Sequence, residues 1–124
     1  MIETWAFSEG ALPVTAEEAV EELRGRAAEG KLESWLTSST GRQLAVVTNT
    51  ERAMVLLLED EGDPGEHATD PGAEGWSDGF VLENGQDDEY PDEDTVPLGE
   101  ALRIAHHILA HGAPPSDTSW AVDR

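Results

Sequence analysis

The sequence contains no cysteine in its 124 residues. Disulfide bonds, thiolate metal sites and cysteine nucleophiles are therefore excluded. A chain without cysteine is compatible with a reducing compartment, and we expect a cytoplasmic protein.

Long apolar segments and familiar catalytic motifs are also missing. The longest apolar run, residues 53–58, is far too short to span a bilayer, which needs about 20 residues. Residues 1–9 have neither the basic nor the apolar segment of a secretory signal, so we expect none. The chain has no nucleophile elbow, phosphate-binding glycine loop or dinucleotide-binding fingerprint, so we predict that it is not an enzyme and needs no cofactor.

Basic residues are absent from the whole stretch between Arg52 and Arg103. Sixteen of the fifty residues in this window are Asp or Glu, which gives it most of the formal net charge of −20. Crowding of one charge sign destabilises a compact state, so it indicates a purpose such as attracting a basic macromolecule. Phosphate backbones and anionic lipids would be repelled, so we expect a basic protein partner rather than nucleic acid or membrane.

Hydrophobic periodicity predicts two helices. Thr15 and Glu18 form a capping box ahead of an apolar stripe, which predicts a helix over residues 16–29 with Gly30 just beyond its end. A second apolar stripe begins after Pro97 and ends at Gly112.

Strand-sized blocks separated by turn residues complete the pattern. We expect long loops at residues 59–79 and 86–95. The predicted strands are residues 5–7, 32–38, 43–48, 53–58, 80–83 and 119–122. Residues 1–124 are therefore expected to form one α+β domain, with a single mostly antiparallel sheet of about five to six strands and two helices packed on it.

The densest acidic segment is residues 87–94, where six carboxylates flank one tyrosine and one proline. A charge run is usually a solvated loop, but an aromatic residue within a charged rim is typical of an interface hot spot. We therefore predict partner contact here, with Tyr90 as the anchor. The predicted contact residues are Asp87, Asp88, Glu89, Tyr90, Asp92, Glu93 and Asp94. Four of these carboxylates are expected to take the place of phosphate groups in a partner's binding sites: Asp88, Glu89, Asp92 and Glu93. Reversing these four residues to lysine is expected to leave the fold intact.

Trp76 is the one tryptophan that lies in a loop rich in glycine and acidic residues. It either holds that loop against the domain or contributes to the partner-binding surface, and we include it among the candidates. Whether the interface is the 86–95 loop or the 59–79 loop stays open.

Metal binding is not expected. The acidic segments lack the spacing of an EF-hand loop. His107 and His111 are four residues apart on the second helix, but Ile108 stands where a zinc protease has its catalytic glutamate. Together with His106, they lie opposite the apolar stripe, and histidines near a helix C-terminus are favoured by the helix dipole.

Three short motifs resemble a known family. Residues 80–85 read Phe-Val-Leu-Glu-Asn-Gly, residues 96–98 read Val-Pro-Leu, and residues 111–115 read His-Gly-Ala-Pro-Pro ahead of Trp120. Their order resembles the first-numbered immunity family of bacterial polymorphic toxin systems. Members of that family have an N-terminal helix, a strand meander, an F-x-x-x-N-G segment, an acidic loop, a Val/Ile-Pro helix, a G-x-x-P segment and a near-terminal tryptophan.

The resemblance, which spans residues 32–120, implies a cytoplasmic antitoxin that neutralises a cognate toxin domain, often a nucleic-acid deaminase or nuclease. The acidic loops would then occupy the toxin's nucleic-acid-binding or active-site surface, and we expect a monomer when free. The charge pattern leaves a second class open, an acidic nucleic-acid mimic or a chaperone for another basic protein. A third class, an enzyme or metal-binding protein, would show turnover or bound metal.

Overall fold

The structure, a computed structural model, describes residues 3–10 and 12–123. Its helices are α1 (Ala16–Ala28) and α2 (Leu98–His111), and a short 3₁₀ helix covers Asp92–Asp94. The strands in the described residues are β1 (Trp5–Phe7), β2 (Glu33–Ser38), β3 (Gln43–Thr48), β4 (Arg52–Leu58), β5 (Glu66–Thr69), β6 (Trp76–Val81), β7 (Asp87–Pro91), β8 (Val96–Pro97) and β9 (Ser119–Val122).

Seven of these strands form the main sheet, and every pairing in it is antiparallel. The order is β1-β2-β3-β4-β5-β9, and β8 pairs with the start of β4. Strands β6 and β7 form a separate two-stranded sheet. The predicted α+β class, with two helices on a mostly antiparallel sheet, is confirmed. The main sheet is somewhat larger than expected, and the second small sheet was not anticipated.

Local signals define the start of α1 and the end of α2. The Thr15 hydroxyl accepts a hydrogen bond from the Glu18 amide at 3.1 Å, and the Thr15 amide donates to the Glu18 carboxylate at 2.8 Å, so the predicted capping box is present. Helix α2 ends at Gly112, whose φ of 81° lies in the left-handed region that glycine adopts without strain. Neither helix in the described part of the chain has the length and apolarity needed to cross a membrane.

The main core lies between the two helices and one face of the sheet. Leu23 from α1 and Ile104 and Ile108 from α2 are buried against sheet residues such as Leu36 and Val55. Burial alternates along β2 and along most of β4, so that one side of each strand faces this core.

Strand β3 is buried on both faces, and this observation locates the β6–β7 hairpin. Ala45 and Val47 point away from the helices, yet they are only 1% and 3% exposed. Glu33, which pairs with Val47 and so shares its face, accepts a hydrogen bond from the Glu83 amide at 3.0 Å. Strand β6 also contacts β3 without pairing with it. The hairpin therefore lies over the face of the sheet opposite the helices.

The predicted loops at residues 59–79 and 86–95 both contain strands. Strand β5 is only four residues long and is held between β4 and β9, a strand far away in the sequence. Strand β7 consists of Asp87–Pro91 and has no apolar alternation. Local pattern favoured a loop in both places, but β5 is held by the distant strand β9, and β7 by its hairpin partner β6.

Candidate partner-binding surface

Strands β6 and β7 bring the two candidate regions together. Trp76 pairs with Pro91, Ser77 with Tyr90, and Val81 with Asp87. Residues 76–91, which we call the acidic hairpin, therefore join Trp76 and most of the acidic segment in one small sheet. The end of the predicted 59–79 loop and most of the predicted 86–95 loop, which the sequence offered as alternative interfaces, therefore belong to the same hairpin.

A β-bulge gives the acidic hairpin two distinct faces. Asp78 and Gly79 lie together opposite Glu89, and Gly79 has a φ of 85°. In a strand without a bulge, residues five positions apart, such as Trp76 and Val81, would point to opposite sides. The bulge restores the alternation, so both side chains lie on one face.

The outer face combines apolar and acidic side chains. Trp76 is 65% exposed and Val81 is 41% exposed. Cross-strand pairing places Pro91 and Asp87 on this face beside them, and alternation adds Glu89. An exposed tryptophan next to carboxylates is the kind of feature that marks an interaction site rather than an ordinary surface.

The inner face uses Tyr90 for internal packing. Its ring meets that of Phe80 edge to face, with the ring centroids 4.9 Å apart, and Phe80 is fully buried. The Tyr90 hydroxyl donates to Asp88 at 2.9 Å. Burial, followed by the nearby Asp88 carboxylate, raises the pKa of Tyr90 to about 12. Tyr90, which the sequence suggested as the anchor, thus packs inward, and Trp76 is the exposed aromatic side chain of the hairpin.

Arg52 fixes the end of the acidic segment. Its guanidinium donates to the Asp70 carboxylate at 2.7 Å and to the backbone carbonyls of Asp92 and Thr95 at 3.1 Å and 3.0 Å. The Asp92 carboxylate in turn accepts a hydrogen bond from the Ser77 hydroxyl at 2.5 Å. Arg52 is the last basic residue before the acidic window in the sequence. In the folded domain its positive charge lies beside carboxylates of that window.

The acidic side chains consequently fall into two groups. The carboxylates of Asp88, Asp92 and Asp94 have hydrogen-bond partners within the domain. Those of Asp87, Glu89 and Glu93 are exposed, and no hydrogen bond or ion pair to them occurs among the described residues. Only the second group has charge fully available to a partner. Reversal of Asp92 would place a lysine beside Arg52, so the expectation that all four phosphate stand-ins can be reversed without harm does not fit this geometry.

Other residues of the site would have been difficult to find from sequence. Val81 and Ser77 carry no distinctive signal, because their faces depend on the bulge. Arg52 gave one clue, its isolation at the border of a long window without basic residues. An isolated base next to many acids is a candidate for a structural ion pair.

The three histidines of α2 have separate contacts and do not converge on one site. The rings of His107 and His111 lie 4.6 Å apart, and Nδ1 of His107 is 2.7 Å from the carbonyl oxygen of Ala113. Nε2 of His106 lies 3.2 Å from Glu17 on α1. Within residues 3–10 and 12–123, no group of three or more histidine, aspartate or glutamate side chains is arranged to hold a metal ion. The prediction that His107 and His111 are not a required metal site stays a prediction.

Comparison with known proteins gives no family assignment, since the chain matches no protein-family model and shows no significant similarity to a curated protein. The resemblance to an immunity family therefore stays a prediction.

Proposed function

We propose that this protein is an immunity protein, an antitoxin that binds a cognate basic toxin domain in the cytoplasm. The toxin is expected to be a nucleic-acid deaminase or nuclease. The observation that carries the proposal is the outer face of the acidic hairpin, where exposed Trp76 and Val81 lie beside the unpaired carboxylates of Asp87 and Glu89. The resemblance of residues 80–85, 96–98 and 111–115 to the immunity family supports it independently.

The chemistry of the partner follows from the function of such a toxin. An enzyme that acts on nucleic acid binds phosphates with lysine and arginine, and one that edits bases has an apolar pocket for the extruded base. Carboxylates at the positions of Asp87, Glu89 and Glu93 would occupy the phosphate sites. Trp76 would enter the apolar pocket or stack on an arginine of its rim. Inhibition then follows from occupancy of the substrate surface.

The same charges would speed complex formation. Opposite fields steer association to about 10⁸–10⁹ M⁻¹s⁻¹ at low salt. An antitoxin benefits from this rate because a toxin is harmful until it is bound. The carboxylates of Asp88, Asp92 and Asp94 form hydrogen bonds within the domain, but their charges still contribute to the electrostatic field that steers association.

The proposal expects a toxin domain to be encoded directly upstream of this chain, and the test co-expresses that domain with variants of the outer face. Trp76→Ala should weaken binding by about 2 kcal/mol or more, which is about 30-fold in Kd, because exposed aromatic anchors dominate interface energies. The double reversal Asp87→Lys and Glu89→Lys should abolish protection of cells that express the toxin.

Each variant has a matched control elsewhere on the surface. Leu12→Ala removes another large side chain, one that is 78% exposed. The double reversal Glu21→Lys and Glu29→Lys makes the same charge change on the exposed side of α1 and just after it. Both controls should bind and protect like the unmodified protein.

Two results would contradict the proposal. If the outer-face variants protect cells as well as their controls, the hairpin is not the interface. If the protein instead binds unrelated basic proteins with similar affinity, and Trp76→Ala changes none of them, it is a general acidic mimic or chaperone.

A further inference from the structure

His67 on β5 lies between carboxylates from two other segments. Its Nε2 is 3.0 Å from Asp94 at the end of the 3₁₀ helix, and its Nδ1 is 2.8 Å from Asp123 just after β9. A carboxylate can only accept hydrogen bonds, so each ring nitrogen must carry a proton to satisfy both contacts. Only the imidazolium form has N–H groups on both nitrogens. The geometry therefore matches a charged histidine.

Neither cross-strand neighbour of His67 on the two flanking strands has a titratable side chain. Its cross-strand neighbours are Leu56 on β4 and Ala121 on β9, and Asp94 and Asp123 are the charged groups that face the ring. Burial lowers the pKa of His67, but the hydrogen bonds and charges of Asp123 and Asp94 outweigh it and raise the pKa above the ordinary value of 6.5. The side chain is 15% exposed, so these contacts are only partly screened by water.

We propose that His67 is a proton-controlled clip that joins the end of the acidic segment to the last strand of the sheet. In the imidazolium form it binds both carboxylates at once. A neutral imidazole donates only one hydrogen bond, so its other nitrogen presents a lone pair to a carboxylate and that contact is lost. Release of Asp94 would loosen residues 92–94, which continue directly from β7 and include the exposed Glu93.

The pH range in which the clip acts follows from the direction of the pKa change. A histidine whose folded pKa is raised contributes stability fully below its unfolded value of about 6.5, and the contribution disappears as the pH rises through the folded pKa. The clip is therefore expected to be closed below the folded pKa of His67 and to open on the alkaline side.

The first experiment observes His67 directly in the unmodified protein. Nitrogen NMR of the histidine side chains, recorded for His67 and His106 together, should show both ring nitrogens of His67 protonated at pH 6, with a pKa above the ordinary value of about 6.5. His106 is a matched reference, because it contacts a single, exposed carboxylate on Glu17. A His67 that titrates at or below the ordinary value, or that has one unprotonated nitrogen at pH 6, would overturn the proposal.

Hydrogen exchange tests the consequence for the acidic segment. The amide of Asp70 donates to the Glu93 carbonyl, and that of Thr95 donates to the Asp92 carbonyl, so both report on residues 92–94. After correction for the intrinsic exchange rate, their protection should fall as the pH rises through the His67 titration. The fold-loss of protection should not exceed the ratio of the folded to the unfolded acid constant of His67, which the NMR titration measures.

A pair of variants separates the clip from general effects of pH. His67→Gln should lower the protection at pH 6 and remove its pH dependence, whereas His106→Gln should leave both unchanged. Equal protection in His67→Gln and unmodified protein at pH 6 would refute the clip. If His67→Gln does not fold, the side-chain titration in the unmodified protein decides the question alone. None of these measurements involves a toxin, so their outcome is independent of the proposed function.

Discussion

Replacing Arg52 with glutamine is expected to destabilise the protein by about 2–4 kcal/mol, because this side chain connects three separate segments. Its guanidinium donates to the hydroxyl and carbonyl of Thr95 at 2.8 Å and 3.0 Å, to the Asp70 carboxylate at 2.7 Å and to the Asp92 carbonyl at 3.1 Å. The side chain is 19% exposed, so water replaces these partners poorly.

The magnitude follows from the chemistry of each bond. A hydrogen bond to a charged group contributes about 1.5–3 kcal/mol, and a neutral one contributes about 1 kcal/mol. The contribution is reduced here because the Asp70 side chain is 37% exposed and because glutamine can keep one hydrogen bond. For a domain of this size, each kcal/mol lowers Tm by about 4 °C, so the variant should melt about 8–16 °C lower.

Arg24→Gln is the matched control for this experiment. Arg24 is exposed on α1 and makes no hydrogen bond or ion pair within the described residues. Arginine and glutamine have similar helix propensities, so the control should change stability by no more than about 0.5 kcal/mol. Urea unfolding of the two variants gives the comparison. If their free energies of unfolding agree within error, Arg52 does not hold these segments together and the reasoning is refuted.

Three further predictions concern salt, pH and metal. Association with the partner should slow roughly tenfold or more from low to high salt, with a smaller change in dissociation, and a salt-independent rate would contradict electrostatic steering. Arg42 and burial act on Glu3 in opposite directions, and the guanidinium prevails, lowering the Glu3 pKa to about 2. Glu3→Gln should therefore destabilise at pH 7, and urea unfolding should show this loss shrinking as the pH falls from about 4.5 through 2. Replacing His107 and His111 with alanine should leave folding and binding nearly intact, and stoichiometric zinc in untagged protein, lost in this variant, would show otherwise.

The main elements of the fold could be predicted because their signals are local. The Thr15–Glu18 capping box fixed the start of α1, and turn residues separated β2, β3 and β4, whose predicted bounds agree closely with the structure. Each of these signals arises from neighbours within a few residues, so no knowledge of the packing was needed.

The acidic hairpin could be predicted only in part. Residues 80–83 were expected as a strand, but Asp87–Pro91 was expected as a loop. Both faces of β7 carry polar groups. One face meets solvent, and on the other the Tyr90 hydroxyl donates a hydrogen bond to Asp88. Without an apolar face there is no alternation to detect, although the strand pairs normally with β6.

The sequence by itself determined the α+β class, the helix bounds, the strand meander and the strong acidity of residues 53–102. It did so because periodicity, capping and charge are properties of the chain that do not depend on folding. The tertiary structure decided which acidic side chains are available and which aromatic residue is exposed. A single bulge at Gly79 places Trp76 on the outer face of the hairpin, and packing against Phe80 holds Tyr90 on the inner face. Arg52 donates a hydrogen bond to the backbone of the acidic segment. These outcomes depend on contacts between different strands and segments, and no local pattern contains them.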